Sequence, residues 1–180
     1  MPRVKQFDQQ EALVQAMQLF WEKGYNATAL SDLTQRLNIG KGSFYDTFKG
    51  KRQLFDKVLS MYRKINIEML QERLNSEKDP KKGIRNLLET MMHDGLADEH
   101  RKGCFIVNTC NEFANSDKEI STVLGEHNST LHSVLYTYLK HYPFIDGVSS
   151  QQATDLLMTF MTELNQELKI KNDKASIQSS

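Results

Sequence analysis

Residues 28–51 constrain the fold of this chain more than any other stretch. Leu30, Leu33 and Leu37 recur at the spacing of one helical face, which predicts a short helix. Asn38 stands where that helix must end, because Asn is one of the few residues that accept a positive φ. Gly40 is an acceptable N-cap for a second short helix. The stretch therefore predicts two helices joined by a tight turn.

The second of these helices has one apolar side and one polar side. Phe44 and Phe48 form an i, i+4 pair that we expect to pack against the preceding helix. A helix-turn-helix presents the opposite side to the major groove of DNA. Either Thr28 or Ser31 is expected to cap the first helix of the pair. The residues predicted to face outward are Lys41, Gly42, Ser43, Tyr45, Asp46 and Thr47.

The rest of the chain also follows the 3.6-residue period of a helix, with only three prolines and no strand-like alternation. We therefore predict an all-α fold. Residues 1–50 form a three-helix domain with the motif at about 29–48, and 51–74 form a connecting helix. Residues 75–170 form a second helical domain, and 171–180 a disordered tail.

Some helix boundaries follow from local signals. Asp8 is expected to cap a first helix over residues 8–23, which Gly24 ends. A loop containing Pro80 is predicted over 75–83, followed by helices over 84–96 and 104–113. The last two helices are predicted over 120–142 and 153–170.

Charge is distributed unevenly along the 180 residues. Residues 1–64 carry 11 Lys and Arg against 6 Asp and Glu, a net charge of +5. Residues 65–180 carry 12 against 17, a net charge of −5. A basic front and an acidic remainder are expected when only the front meets a polyanion, although chance scatter of surface charge would look the same.

Targeting and redox signals are weak. The first residues contain no apolar run typical of a signal peptide, and no stretch approaches the roughly 18 apolar residues that span a bilayer. Two cysteines do not make a disulfide framework in a chain of this length. We therefore expect a cytoplasmic protein without a membrane partner.

The run Gly24-Tyr-Asn-Ala-Thr28, the Leu33 and Leu37 pair, and Gly40-Lys-Gly-Ser-Phe-Tyr-Asp-Thr-Phe-Lys-Gly-Lys-Arg-Gln-Leu-Phe55 together resemble the DNA-binding domain of the TetR (tetracycline-repressor) family. The resemblance covers roughly residues 8–60 and departs from the family pattern at Asn38 and Gly40. It implies a homodimeric repressor of a double-stranded DNA operator, in which residues 75–170 form the helical ligand-binding and dimerisation domain. Tyr45 and Lys51 would clamp the DNA backbone, with Ser43 and Thr47 beside them. The remaining predicted DNA contacts are Lys41, Gly42 and Asp46, which would approach base edges, and Thr28 at the start of the motif.

A second segment, Gly103-Cys-Phe-Ile-Val-Asn108, resembles one found in members of that family that include electrophile-sensing repressors. Cys104 lies at a predicted helix start and follows Arg101 and Lys102. A helix N-terminus and neighbouring positive charges are both expected to favour a thiolate. Cys104 is therefore a candidate redox sensor. The alternative is that a small, soft side chain simply packs there.

The effector site leaves no motif. Met91, Met92, Cys104, Val107 and Asn108 are candidates for lining a small-molecule pocket between helices. By the resemblance, the last two helices also form the dimer interface. The residues expected there are Leu131, Leu135, Tyr138, Leu156, Phe160 and Leu164.

Three functions remain to be weighed. The leading one is a ligand-responsive repressor whose inducer is unknown. A constitutive DNA-binding repressor without an effector is the second. An enzyme on a helical bundle is the third, although the sequence shows no nucleophile–base pair, no cofactor motif and no histidine spacing typical of a metal site. Gly40-Lys-Gly-Ser43 also lacks the spacing of a phosphate-binding loop.

Overall fold

A computed structural model describes residues 8–113, 115–144 and 147–170. The predicted tail at 171–180 and the first seven residues lie outside these ranges. The all-α prediction is confirmed, because the secondary structure of the described residues is helical. The helices are α1 Gln9–Lys23, α2 Leu30–Arg36, α3 Lys41–Phe48, α4 Lys51–Asn75, α5 Pro80–Ala97, α6 Phe105–Phe113, α7 Lys118–Leu139 and α8 Ser150–Ile170.

The chain divides into two compact units, the first ending at Arg63 and the second beginning at Lys64. The division falls inside α4. Aromatic rings dominate the interior of the first unit: Phe20 meets Phe55 edge to face with ring centroids 5.1 Å apart. Its other fully buried side chains include Ala16, Leu33, Phe44, Phe48, Leu54, Val58 and Leu59.

The start and end of α1 follow the predicted signals. The Asp8 carboxylate accepts hydrogen bonds from the backbone N–H groups of Gln10 and Glu11, at 2.8 and 3.3 Å. Gly24 ends the helix with φ of 81°, which is a backbone conformation that a residue with a Cβ rarely adopts. Both predicted boundary residues are therefore confirmed.

The turn between α2 and α3 also matches its prediction. Asn38 has φ of 52°, and Gly40 is the N-cap of α3 in an extended conformation. Lys49, which follows α3, is likewise left-handed with φ of 68°. Local backbone chemistry thus sets both ends of the short helix α3.

The predicted cap of α2 was wrong. Ala29 is the N-cap, and Asp32 takes over the capping function from inside the helix. Its carboxylate accepts the Ala29 backbone N–H at 3.0 Å. Thr28 lies one residue too early and Ser31 lies within the helix, so neither can act as its N-cap.

Leucines from three helices form the larger core of the second unit. Leu70 and Leu74 of α4 meet Leu87 of α5 and Leu135 of α7. A smaller cluster surrounds Leu164 and Leu168 of α8. In this unit α8 packs against both α5 and α7, and α6 packs against α7.

Three predicted boundaries in this unit need correction. The predicted loop over 75–83 is too long, because α5 already begins at Pro80 with Asp79 as its cap. Proline suits this first position, where the missing N–H would have had no helical partner. Asp117 caps α7, which therefore starts at Lys118 and ends at Leu139. Helix α8 starts at Ser150 rather than 153.

No described helix combines the length and the apolar character needed to cross a membrane.

Candidate nucleic-acid interface

Two buried phenylalanines fix which side of α3 faces outward. Phe44 and Phe48 are 0% and 1% exposed, and their ring centroids lie 5.5 Å apart. Burying an aromatic side chain of this kind contributes about 1.5–3 kcal/mol, so rotating α3 about its axis would be costly. The outward residues are therefore well defined: Lys41, Gly42, Ser43, Tyr45 and Asp46 are exposed, and Thr47 is half-buried.

Tyr45 stands at the edge of this outward surface. Its side chain is 49% exposed, and its ring meets Phe44 edge to face with centroids 5.8 Å apart. Such a contact restrains the ring from one side. A restrained tyrosine is suited to donating its hydroxyl to a phosphate oxygen, since little side-chain entropy remains to be lost.

The start of α3 carries no neutralising side chain. Its N-cap is Gly40, which offers no side-chain acceptor, and no acidic residue lies in the first turn. In α1, α5 and α7, by contrast, an aspartate accepts hydrogen bonds from the first N–H groups. The N-terminus of α3 therefore keeps its partial positive charge, which favours an anion such as DNA phosphate.

Lys51 is held in place by an aromatic ring. Its ammonium nitrogen lies 4.2 Å from the centroid of the Tyr25 ring, and that ring packs against Phe55 with centroids 4.9 Å apart. A cation–π contact of this kind contributes about 0.5–2 kcal/mol. The first residue of α4 is thereby tied to the segment that joins α1 and α2.

Asp32 adds an electrostatic link between α1 and α2. Besides accepting the Ala29 N–H, its carboxylate lies 3.1 Å from the ammonium of Lys23. The backbone hydrogen bond first, and then the Lys23 ammonium, lower the pKa of Asp32 below its ordinary value of 3.8. The more distant charge of Lys51 acts in the same direction.

Thr28 must be removed from the predicted contact surface. Its side chain is 0% exposed, and its hydroxyl donates to the Gly24 carbonyl at 2.6 Å. The hydroxyl satisfies a carbonyl at the end of α1, so its role is structural. Sequence alone could not distinguish this role from a DNA contact, because threonine is common in both.

One basic residue beside the surface was missed. Lys49 is exposed, and its ammonium donates to the Asp46 carbonyl at 2.9 Å. This bond places a positive charge at the C-terminal end of α3, where the charge interacts favourably with the negative end of the helix dipole. The sequence did not predict this position of Lys49, because a left-handed residue at the end of a helix is usually Gly or Asn.

The residues predicted for an effector pocket lie in two places. Met91 and Met92 are half-buried on α5, where both pack against the cluster of Leu164 and Leu168. Val107 is half-buried on α6. The methionines therefore contribute to the core of the second unit, and the pocket itself stays a prediction.

Cys104 and Asn108 are brought together at the start of α6. The backbone N–H of Asn108 donates to the Cys104 carbonyl at 3.0 Å. The Asn108 side chain donates to the Lys102 carbonyl at 2.6 Å and accepts from the Lys169 ammonium at 2.8 Å. Its amide thus links the segment before α6 to the end of α8.

Both cysteines are free thiols, Cys104 half-buried and Cys110 exposed, and redox sensing stays a prediction.

The predicted dimer-interface residues divide into buried and exposed groups. Leu135 and Leu164 are 0% and 6% exposed, and they belong to the interior of one subunit. Leu131 packs against the same interior. Leu156 and Phe160 of α8 are instead 72% and 52% exposed. Leu135 and Leu164 are therefore corrected to core residues, because Leu135 packs with leucines of α4 and α5 and Leu164 with leucines and methionines of α5.

Tyr138 was also expected at the dimer interface. It is half-buried, and its hydroxyl donates to the Glu77 carbonyl at 2.9 Å. Burial first, and then the charges of Glu77 and Asp79, raise the pKa of its phenol above the usual 10.0. The side chain therefore remains a neutral hydrogen-bond donor that ties α7 to the segment before α5.

Within the described ranges, no three His, Cys, Asp or Glu side chains are grouped so that they could hold a metal ion.

Comparison with known proteins places these observations in a family. A family model described as "Bacterial regulatory proteins, tetR family" matches residues 12–58. The chain is 31% identical over 136 residues to the uncharacterized HTH-type transcriptional regulator YezE of Bacillus subtilis, covering 76% of this chain and 70% of that protein. It is 27% identical to the HTH-type transcriptional repressor ComR of Escherichia coli, covering 76% and 66% of the two chains.

Solved structures share the fold over nearly the whole chain. A cysteine mutant of the TetR family regulator CifR, in complex with 26-bp operator DNA, superposes with a TM-score of 0.84 at 20% identity and covers 98% of this chain and 95% of its own. Reduced NemR of E. coli gives 0.82 at 18% identity, covering 94% and 91%. At these identities the similarity establishes the fold.

Proposed function

The chain belongs to the TetR family of bacterial regulatory proteins and is a DNA-binding transcriptional regulator, and we propose that it is a repressor released from a palindromic operator by a small-molecule inducer. The observation that carries the proposal is the outward surface of α3. A helix anchored by Phe44 and Phe48 exposes polar and basic residues together with an uncapped N-terminus. These are the groups that bind phosphate and base edges.

Individual roles follow from side-chain chemistry and position. Tyr45 and Lys51 hold the DNA backbone, the first by its hydroxyl and the second by its charge, with Ser43 and Thr47 beside them. Lys41 and Asp46 reach base edges, because lysine donates to guanine and aspartate accepts from cytosine. Lys49, exposed at the other end of α3, adds a further contact with phosphate.

The operator would be read by a homodimer. One helix-turn-helix contacts few base pairs, and a two-fold dimer places two of them on successive turns of DNA. Leu156 and Phe160 support this proposal, because large apolar side chains exposed on one helix are suited to a protein interface. The proposed partner is a second copy of this chain, paired through α8 and the adjoining face of α7.

Regulation is proposed to enter through the second unit. Curated relatives include the repressors ComR and BdcR of E. coli and the negative regulator IcaR of Staphylococcus epidermidis, which supports repression. An inducer must prefer the state that does not bind DNA, typically by about 1–3 kcal/mol. Such a protein acts on the chromosome in the cytoplasm and needs no catalytic activity.

The experiment is a fluorescence-anisotropy titration of two DNA probes. One is the region upstream of the protein's own gene, and the other is a duplex selected from a random pool by the wild-type protein. We expect tight binding that weakens as salt rises, because cations are released from each phosphate that the protein contacts. Tyr45→Phe removes one hydroxyl and should weaken binding several-fold, by about 1 kcal/mol.

Charge is tested with a matched pair of lysines. Lys41→Ala should weaken binding by about 1–3 kcal/mol if the lysine reads a base, and should reduce the salt slope by about 1 if it contacts phosphate. Lys82 is exposed on α5, and Lys82→Ala removes the same charge from the second unit. This control should bind like the wild type. Absence of salt-sensitive binding to both probes would rule out the proposal.

A further inference from the structure

A histidine, an aspartate and a glutamine form a polar cluster where α7 meets α8. The Nε2 atom of His132 lies 3.0 Å from a carboxylate oxygen of Asp155. The amide nitrogen of Gln151 lies 2.8 Å from the same ring nitrogen and donates to the carboxylate at 3.3 Å. The His132 ring also stacks on Tyr136, with centroids 6.4 Å apart and ring planes 11° apart. The cluster therefore joins the two helices that carry the proposed dimer surface.

His132 is the positive charge available to Asp155. In the part of the chain that the structure describes, no lysine or arginine of the neighbouring helices pairs with Asp155. In the same ranges, the ionisable groups that contact His132 are Asp155 from α8 and Tyr136 from its own helix. Histidine changes its charge between about pH 5 and pH 8, a range in which an aspartate is ionised. The cluster therefore carries a full negative charge with a neutral ring and no net charge with a protonated one.

The cluster borders the apolar surface through which the dimer is proposed to form. Leu156 follows Asp155 directly and is 72% exposed. Tyr136, on which the His132 ring stacks, is 38% exposed. The Asp155 side chain is itself 59% exposed in the single subunit, so water stabilises its charge there. A second subunit would remove part of that water, which is costly for a carboxylate unless an opposite charge lies against it.

We propose that His132 makes dimerisation dependent on pH, and that the dimer forms more readily when the ring is protonated. A neutral ring leaves the charge of Asp155 uncompensated in either tautomer. A protonated ring donates its Nε2–H to Asp155 and cancels that charge, and the Gln151 amide no longer donates to this nitrogen. The inference rests on the proposed homodimer and extends it, because it names a signal that acts on the same interface.

Dimerisation is then linked to the uptake of protons from solvent. Each proton taken up lowers the dissociation constant of the dimer by up to about tenfold for every unit by which the pH falls. A two-fold dimer contains two copies of His132. We therefore expect the dissociation constant to be at least about tenfold smaller near pH 6 than near pH 8. The operator should accordingly be bound more tightly at the lower pH.

The experiment is sedimentation velocity of the full chain near pH 6 and near pH 8, at a fixed urea concentration that brings dissociation into the measurable range. His132→Gln has a polar side chain that cannot become charged, so its dimer should be weak at both pH values. Asp155→Asn removes the carboxylate, so its dimer should weaken rather than tighten as the pH falls. The double variant should dimerise tightly and independently of pH.

A second histidine–aspartate pair supplies the matched control. His93 of α5 lies 3.5 Å from Asp94, and both side chains are exposed outside the proposed interface. His93→Gln should therefore keep the pH dependence of the wild-type dimer. Circular dichroism under the same conditions establishes that each variant is folded.

Three results would overturn the inference. They are a wild-type dissociation constant that does not change with pH, a pH dependence that persists in His132→Gln, and one that is lost equally in His93→Gln. A wild-type protein that is monomeric at every pH would mean that the proposed homodimer fails as well. The other results overturn only the role of His132.

Discussion

At the scale of single residues, one carboxylate links two helices of the first unit. Asp32 caps α2 through the Ala29 N–H and pairs with Lys23 at the end of α1. Both partners favour its ionised form, which is why its pKa is lowered. A group with a lowered folded-state pKa stabilises the protein above its unfolded-state pKa, and that contribution disappears as the pH falls through the folded value.

Asp32→Asn should therefore remove one component of acid sensitivity. Thermal unfolding of the wild type should show this contribution in full above the ordinary pKa of 3.8, and its progressive loss below that value. The Asn variant should be less stable near neutral pH, and the difference from wild type should shrink as the pH falls. A difference that is constant with pH would contradict this account.

Lys23→Ala provides the matched control. It removes the second cause of the lowered pKa and leaves the first, the hydrogen bond from Ala29, in place. Its acid sensitivity should therefore lie between that of the wild type and that of Asp32→Asn.

At the scale of helices, two glycines allow α5 to approach its neighbours closely. A Cβ at Gly83 would overlap the hydroxyl oxygen of Tyr138, and a Cβ at Gly95 would stand 2.6 Å from a methyl carbon of Leu168. The first contact joins α5 to α7, and the second joins α5 to α8. These two positions thus set the distances between the helices that form the second unit.

Gly83→Ala should destabilise the second unit by about 1–3 kcal/mol, because the new methyl group overlaps the Tyr138 side chain. Tyr138→Phe should cost about 1 kcal/mol, through loss of the hydrogen bond to the Glu77 carbonyl. The measurement is urea unfolding of both variants and of the double variant.

The double variant tests the contact itself. The hydroxyl that a methyl group at position 83 would meet is absent from it, so the combined loss should be smaller than the two single losses added together. Strict additivity would show that Gly83 and Tyr138 act independently.

At the scale of the whole molecule, the exposed apolar side chains of α8 support the proposed dimer. Leu156 is 72% exposed, and its apolar neighbours on α8, Leu157 and Met158, are only half-buried within the subunit. A second copy of the chain would remove Leu156 and Phe160 from water. Dimerisation would then place two α3 helices on one operator.

Leu156→Glu should convert the protein to a monomer without unfolding it, since the leucine side chain is mostly exposed and contributes little to the core of the subunit. Operator affinity should fall more than about tenfold, because a single helix-turn-helix contacts too few base pairs. Sedimentation velocity and anisotropy titration measure the two effects.

The matched control is Ile65→Glu, which introduces the same charge at an apolar residue of α4 that is 40% exposed. It should remain a dimer. A wild-type protein that is monomeric, or a Leu156→Glu variant that still dimerises, would contradict the proposed interface.

Local sequence determined much of the helix-turn-helix. Asn38 and Gly40 set the turn, and the spacing of Leu33, Leu37, Phe44 and Phe48 set the buried side, because these signals act within a few residues of one another. The outward polar residues followed as the remaining side of α3. Family membership was recognisable from the same residues.

Tertiary structure decided what periodicity could not resolve. Helices α7 and α8 carry apolar residues on more than one side, so the pattern alone did not separate Leu135 and Leu164, which are core, from Leu156 and Phe160, which are exposed. Thr28 is likewise an interior residue, 0% exposed, although its place next to the motif suggested a DNA contact. Which side of a helix is buried depends on neighbours distant in sequence, and sequence spacing carries no information about where those neighbours pack.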